Sequence, residues 1–329
     1  MVNSPYVIAE AAQGYEGSMD IAKLLVKAAA KGKADAVKFQ VVFAKDLAEP
    51  GYQYFELFQQ LEMSVESWKE IRDTAKSLGL DFVVDVFGDQ SFELAKALDV
   101  DAFKLHSTTF FDAELARKVF AENKRTYISI GGIEPEEVDA FVAQHHLHER
   151  KNVSILFGFQ AEPTPIDKNH LSRIAELRKR FSLDVGFMDH SEGGTPDSMG
   201  LSLVALGCGV RVFEKHVTLD RELELEDYVS GLTPAEFLLY TDTLNNLAQA
   251  LGTDSIALTE EEVAYRGRAL KRVVANSNLE AGIVLGEQDF RLSRPAEPGG
   301  CYLPNEVLGK TLRMVLKEGD PIGKEHLSS

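Results

Sequence analysis

An α/β architecture is what this sequence predicts: a (β/α)8 barrel followed by a small, mostly β module at the C-terminal end. Three observations predict it. Eight short apolar runs alternate with helical patterns from residue 5 to about residue 250, the count of a closed barrel in which each strand is followed by a helix. Polar and charged side chains recur at the C-terminal ends of those runs, where barrels carry their chemistry. After residue 252 the rhythm changes to short strands, turns and Gly/Pro punctuation. An open doubly wound sheet is the rival, but no Gly-x-Gly-x-x-Gly follows the first strand.

The predicted strands cover residues 6–9, 36–40, 81–86, 102–105, 126–130, 153–157, 184–187 and 210–214. Helical patterns fall between them, near 18–32, 65–79, 90–99, 112–123, 134–148, 167–181 and 196–207, with a last one at 234–250. Thr233-Pro234 reads as an N-cap followed by proline at the first helical position, and Gly79 and Gly252 sit just past helix ends. His145, His146 and His148 close the pattern at 134–148. No carboxylate completes a metal site there, and a solvated helix end with cations near its C-terminus explains them.

Residues 1–252 are therefore assigned to the barrel and 253–269 to a polar, Glu-rich linker with a helix over 259–268. Residues 270–329 form the small module, punctuated by Ala281-Gly282, Pro298-Gly299-Gly300 and Glu318-Gly319-Asp320.

The 329 residues are 44% hydrophobic, enough to bury a large core, and carry a net charge of −17. That charge argues against nucleic acid and against a polybasic membrane contact, because both need a cationic surface. It leaves room for a small anion in a locally cationic pocket. The cysteines are Cys208 and Cys301, far apart and without metal-ligand spacing, so reduced thiols in a cytoplasmic protein are expected. The opening residues show no basic leader with an apolar core, and no apolar run reaches membrane-spanning length.

The strand ends carry the candidate chemistry. The first ends in Glu10 and runs into Gln13-Gly14-Tyr15-Glu16-Gly17-Ser18; the second ends in Lys38-Phe39-Gln40. The fourth ends in Lys104-Leu105-His106-Ser107, and the fifth in Ser129 before Gly131-Gly132. The seventh ends in Asp189-His190-Ser191, and the eighth in Glu214-Lys215-His216. Alternation puts Val210, Val212, Glu214 and His216 on one face and Lys215 on the other. Lys38 and Lys104 hold equivalent places in Asp-Ala-Val-Lys and Asp-Ala-Phe-Lys. Two lysines in a barrel mouth point to a phosphate or carboxylate ligand. The alternative is internal salt bridging to Glu10, Asp189 or Glu214.

These segments, in this order, carry a resemblance. Ile8-Ala9-Glu10, Tyr15-Glu16-Gly17-Ser18, residues 32–40, Ser129-Ile130-Gly131-Gly132, Pro163-Thr164-Pro165, Val185 to Ser191 and Phe213 to Arg221 are similar to the sialic acid synthase family. That family includes legionaminic and pseudaminic acid synthases and spore-coat polysaccharide proteins. Lys271-Arg272, Arg294-Pro295 and Val307-Leu308-Gly309-Lys310 resemble its antifreeze-like (SAF) domain.

The resemblance implies condensation of phosphoenolpyruvate with the open-chain aldehyde of an amino sugar, N-acetylmannosamine-like, to a nonulosonic acid and phosphate. It also implies a divalent metal, Mn2+ or Mg2+, and a domain-swapped homodimer. Carried over by position, Lys38 and Lys104 would hold the donor's anions with Ser107 and Ser129. Gln40, Asp189 and His190 would contact substrate, with Glu214 and Asp227 beside them. Glu16 would move a proton or position the acceptor, His216 would ligate metal, and Arg294 would reach a partner subunit's sugar.

Departures from the family pattern are local. Leu225-Glu226-Asp227-Tyr228 stands where the family carries Gly-Pro-Asp-His, so Tyr228 replaces a histidine read as the second metal ligand. Phe157-Gly158-Phe159-Gln160-Ala161-Glu162 replaces a polar run, His106-Ser107-Thr108-Thr109 stands for Gly-Ser-Gly-Glu, and Met188 stands for serine. His106 is either a new functional group or a void filler. Two further readings stay open: a divergent aldolase or lyase using another anionic donor, and a catalytically silent homologue that binds a sugar phosphate.

Overall fold

The computed structural model describes residues 4–328; the reading of the opening residues as free of a leader falls partly on residues 1–3, outside the described residues. The chain divides into two compact units, one reaching Thr253 and one starting at Asp254. Of the segment read as a linker, Thr253 falls in the first unit and residues 254–269 in the second.

In the first unit eight parallel strands close in sequence order: β1 (Tyr6–Ala12), β2 (Ala36–Gln40), β3 (Asp81–Val86), β4 (Ala102–Leu105), β5 (Arg125–Ser129), β6 (Val153–Phe157), β7 (Asp184–Asp189) and β8 (Val212–His216). The fold is a (β/α)8 TIM barrel. β8 closes on β1 with Tyr6 opposite Val212 and Glu10 opposite His216. That pairing corrects the predicted strand at 210–214: the ladder runs on through the charged residues because β1 supplies partners as far as Glu10.

The helices are α1 (Met19–Lys31), α2 (Ala44–Leu47), α3 (Phe55–Leu61), α4 (Val65–Ser77), α5 (Asp89–Ala97), α6 (Ala113–Ala121), α7 (Pro135–Gln144), α8 (Arg173–Phe181), α9 (Pro196–Gly207) and α10 (Pro234–Ala248). Each buries one stripe against the barrel. In α1, Ser18 caps Ile21 N, and Ala22, Leu25, Val26 and Ala29 turn inward. In α4, Trp68, Ile71 and Ala75 do so, and Trp68 meets Tyr15 and Phe39 edge-on at 5.1 and 5.6 Å.

Three helical readings need correction. Short α2 and α3 lie in the β2–α4 connection, which no periodicity marked. α8 starts at Arg173, not 167, because His170 at φ 44° lies outside the right-handed helical region. α7 stops at Gln144, since His146 is left-handed at φ 51°. His145 is not solvated like its neighbours: it packs on Phe141 at 4.6 Å and Phe120 at 5.3 Å.

Inside the barrel, Ile8, Ala36, Val83, Ala102, Tyr127, Leu156 and Met188 form an apolar floor. One step further along the strands the same inward parity presents Glu10, Lys38, Asp85, Lys104, Ser129 and Glu214, all buried. The fold thus places a polar, largely ionisable layer directly above an apolar one, at the C-terminal mouth.

The second unit contains α11 (Glu260–Ala269), β9 (Arg272–Ala275) and β10 (Phe290–Ser293), the two strands antiparallel with Phe290 opposite Ala275. Isolated bridges such as Leu279–Leu316 and Leu312–Leu327 extend it. Val273, Leu285, Phe290, Val307, Leu316 and Ile322 make its core. No described helix is long and apolar enough to cross a membrane.

Candidate active site at the barrel mouth

A cavity of about 240 Å3 opens at the strand ends, lined by Glu10, Gln40, Lys104, His106, Gln160, Ala161, Glu162, His190, Glu214, His216 and Asp227. A larger one of about 550 Å3 lies at the ends of β5 and β6 against α8. It is mostly apolar and holds none of the sequence-predicted groups, so the smaller cavity is the chemical one.

Lys38 lies beneath the mouth without solvent exposure, paired with Glu10 and Asp85 and 3.6 Å from Glu214 Oε2. Lys104 Nζ donates to Glu214 Oε1 at 2.6 Å. The internal salt bridging weighed as an alternative is therefore present at both lysines, through Glu10 and Glu214 and through Asp85, which the strand-end reading omitted. Asp85 interrupts Val83-Val84-Asp85-Val86 with Lys38's parity; a carboxylate flanked by valines inside a strand was the signal for it.

Three acids face two lysines here, and Glu10 and Glu214 are shifted in opposite directions. Burial, opposed by Lys38, pushes the Glu10 carboxyl up to about 8, with Glu214 and Asp85 adding to the rise. Burial alone would raise Glu214 too, but Lys104 and Lys38 outweigh it and hold that carboxylate at about 2. Lys38 is held well above its ordinary value, because Asp85, Glu10 and Glu214 overcome its desolvation.

His190 and His216 meet in the cavity with ring centroids 5.0 Å apart. Burial lowers both, His190 to about 4 and His216 to about 3, so both rings are neutral at pH 7. His216 Nδ1 lies 3.5 Å from Asp227 Oδ2, while His190 Nδ1 has no hydrogen-bond partner among the described residues. Burial raises Asp227 to about 6, against His216 and with help from Glu162. Tyr228, read as the histidine substitute, does not line the cavity. The second imidazole comes from the end of β7.

Asp189 needs the clearest correction. It follows inward Met188, so it faces out of the barrel, where Oδ1 accepts from Ser191 N at 2.8 Å and Ser191 Oγ at 2.6 Å. Lys215 lies 3.3 Å away, and Ser202 of α9 donates to Oδ2 at 3.3 Å. This buried cluster ties β7 and β8 to α9 and does not touch the mouth. Glu16 is also outside the cavity: Tyr15 is buried and donates to Gln40 O at 3.1 Å, leaving Glu16 exposed at φ 47°.

Gln40 lines the mouth and accepts from Gln13 Nε2 at 2.8 Å. Ser129 is fully buried and its Oγ has no partner among the described residues. Ser107 Oγ donates to Gln160 Oε1 at 3.1 Å, tying the β4 loop to the β6 loop. Gln160 and Glu162, seen from sequence only as part of a departure, line the cavity. Gly158 has a reason of its own: a Cβ there would overlap Met188 O of the adjacent strand. Arg294 lies in the second unit, where its Nε donates to Ala269 O at 2.9 Å.

The NeuB family model matches residues 25–255, most of the barrel unit. This chain belongs to the NeuB family. It is 27% identical to the N,N'-diacetyllegionaminic acid synthase of Campylobacter jejuni, over 96% of this chain and 98% of that one. It is 28% identical to the pseudaminic acid synthase of the same species, over 96% and 95%. A spore coat polysaccharide biosynthesis protein E from Chromobacterium violaceum superposes with a TM-score of 0.83, covering 99% of this chain and all of that one. At 22% identity that likeness carries the fold. The chain is an enzyme of this family, as the sequence resemblance implied.

Proposed function

We propose that the barrel mouth joins phosphoenolpyruvate to the open-chain aldehyde of an amino sugar, giving a nonulosonic acid and phosphate. The observation that carries this reading is the pair of buried lysines from β2 and β4, set among Glu10, Asp85 and Glu214 beside two neutral histidines. The relatives named as synthases support it.

In the reaction, the enol's methylene carbon attacks the aldehyde carbon, water adds to the resulting oxocarbenium-like carbon, and the carbon–oxygen bond to phosphate breaks. Lys104, at the cavity wall with Lys38 behind it, faces the donor's anions. Ser129 Oγ, buried without a partner, supplies a hydroxyl donor, and Gln40 orients the acceptor. Glu10, held protonated near neutral pH, can give a proton to one reacting oxygen and take one from another. Asp227 takes the acceptor side in this proposal, and Glu16, outside the cavity, is given no step.

A divalent metal, Mn2+ or Mg2+, belongs to the same reading. Among the described residues no three His, Cys, Asp or Glu side chains form a preassembled site. His190 and His216 nevertheless fit two nitrogen positions, since both are neutral and His190 Nδ1 is unengaged. Asp227 stands beside them, and substrate or water oxygens would complete the set. When bound, the metal polarises the aldehyde oxygen. A homodimer is also proposed, with the second unit an SAF domain whose Arg294 serves the partner subunit.

The aldolase alternative needs an uncharged lysine. Lys38 is held charged, and Lys215, lowered by burial, faces Asp189 away from the mouth. Phosphate release from phosphoenolpyruvate with a panel of N-acylated amino sugars tests the proposal. Release coupled one-to-one to keto-acid formation supports it. Borohydride trapping of substrate on a lysine, without phosphate release, would overturn it in favour of an aldolase.

A further inference from the structure

His106 occupies the end of β4, and its ring geometry assigns a role. The backbone N–H of Thr108 donates to its Nδ1 at 3.3 Å, and Thr108 Oγ1 lies 3.0 Å from the same nitrogen. A backbone amide can only donate, so Nδ1 is the acceptor and the proton sits on Nε2. The ring rests against Phe87 with centroids 5.5 Å apart, which limits its rotation. Nε2 makes no hydrogen bond among the described residues, and His106 lines the cavity beside Lys104 and Gln160.

The mouth needs such a donor. Its two lysines are already paired, Lys38 with Asp85 and Lys104 with Glu214, so an incoming anion finds little spare positive charge. β6 sends no side chain toward the mouth at Gly158, where Met188 O leaves no room for one. Gln160 has spent its carbonyl on Ser107 and keeps only its amide N–H groups.

We propose that His106 is a specificity-determining residue whose Nε2–H is a fixed, uncharged donor holding an anionic oxygen of the donor substrate beside Lys104. The inference rests on the donor-site reading above. It answers the choice left open in the sequence between a functional group and a void filler.

The test uses His106→Asn and His106→Gln in the full-length chain. Asparagine keeps an oxygen near Thr108 N but loses the reach into the cavity; glutamine keeps an N–H at longer reach. Calorimetric titration with phosphoenolpyruvate and with inorganic phosphate is run on wild type and both variants, with unfolding midpoints as a folding control. Loss of a hydrogen bond to a charged group should weaken phosphoenolpyruvate binding about 10-fold or more in His106→Asn. His106→Gln should stay within about 3-fold of wild type, and the KM for the aldehyde should not move. Wild-type affinity in His106→Asn, or equal loss in both folded variants, would reduce His106 to a cap and wall. If wild type binds phosphate but not phosphoenolpyruvate, the synthase reading falls and His106 is judged by the same comparison on phosphate. Binding of neither overturns both.

Discussion

Lys104 Nζ lies 2.6 Å from Glu214 Oε1, across the mouth and 110 positions apart in the chain. The pair is buried, with Lys38 on the other side of the same carboxylate. Removing one member of such a set leaves buried charge uncompensated. Glu214→Gln should therefore cost about 3–5 kcal/mol of folding stability, read as a fall in the urea midpoint. An unchanged midpoint would show that the lysines find other partners.

Asp189 and Asp227 should separate by readout. Asp189→Asn breaks the cluster with Lys215, Ser191 and Ser202 and should destabilise the fold by about 3–5 kcal/mol, with phosphoenolpyruvate affinity unchanged in the folded fraction. Asp227→Asn, at the cavity, should leave the midpoint near wild type and lower turnover. The reverse pattern would return Asp189 to the site.

Gly158→Ser looks like a repair of the polar lining lost from β6. It should fail, because the added Cβ overlaps Met188 O. Overpacking of this kind costs about 1–3 kcal/mol, measurable by thermal unfolding, and donor affinity should not improve. A stable variant with tighter binding would mean that β6 and β7 yield easily.

Metal affinity distinguishes the two histidine readings. Tyr228 does not line the cavity, so Tyr228→His should leave Mn2+ affinity within about two-fold. His190→Gln or His216→Gln should weaken it about 10-fold or more, the scale on which metal sites respond to lost support. Electron paramagnetic resonance titration of Mn2+ reads both. Tightening by Tyr228→His would restore the one-histidine site inferred from sequence.

His106 also predicts a pH dependence with a definite sign. Burial lowers it from 6.5 to about 4. The folded state then binds fewer protons than the unfolded state between those values, so stability is lost as pH falls through that window. His106→Asn lacks this term. Its stability relative to wild type should rise as pH drops from 6.5 toward 4, by up to about 1.4 kcal/mol per pH unit. A constant difference in urea titrations at several pH values would show that the imidazole titrates normally.

Most of the barrel was legible because its signals are local. Apolar runs marked all eight strands, and caps and glycines marked most helices. The errors fell where backbone conformation left the regular regions, at His146 and His170, and in the β2–α4 connection, whose short helices rest on loop packing. Of the strand-end groups, Lys104, Glu214 and His216 line the cavity and Lys38 lies beneath it; they stood out in the sequence because charged groups at strand ends do. Asp85 was passed over for lying inside an apolar run, and Asp189 was misplaced by its motif.

The sequence by itself determined that these residues stand at the ends of six of the eight strands, and its motif order determined the family. Only the tertiary structure decided which parity faces the lumen. In a parallel barrel both faces of a strand are apolar, so periodicity cannot tell inside from outside. Closure and register, with Glu10 opposite both Lys38 and His216, put one parity into the mouth. They brought His190 beside His216 and Lys104 onto Glu214, and turned Asp189 away, because barrel closure couples positions too distant in the chain for any local pattern to relate.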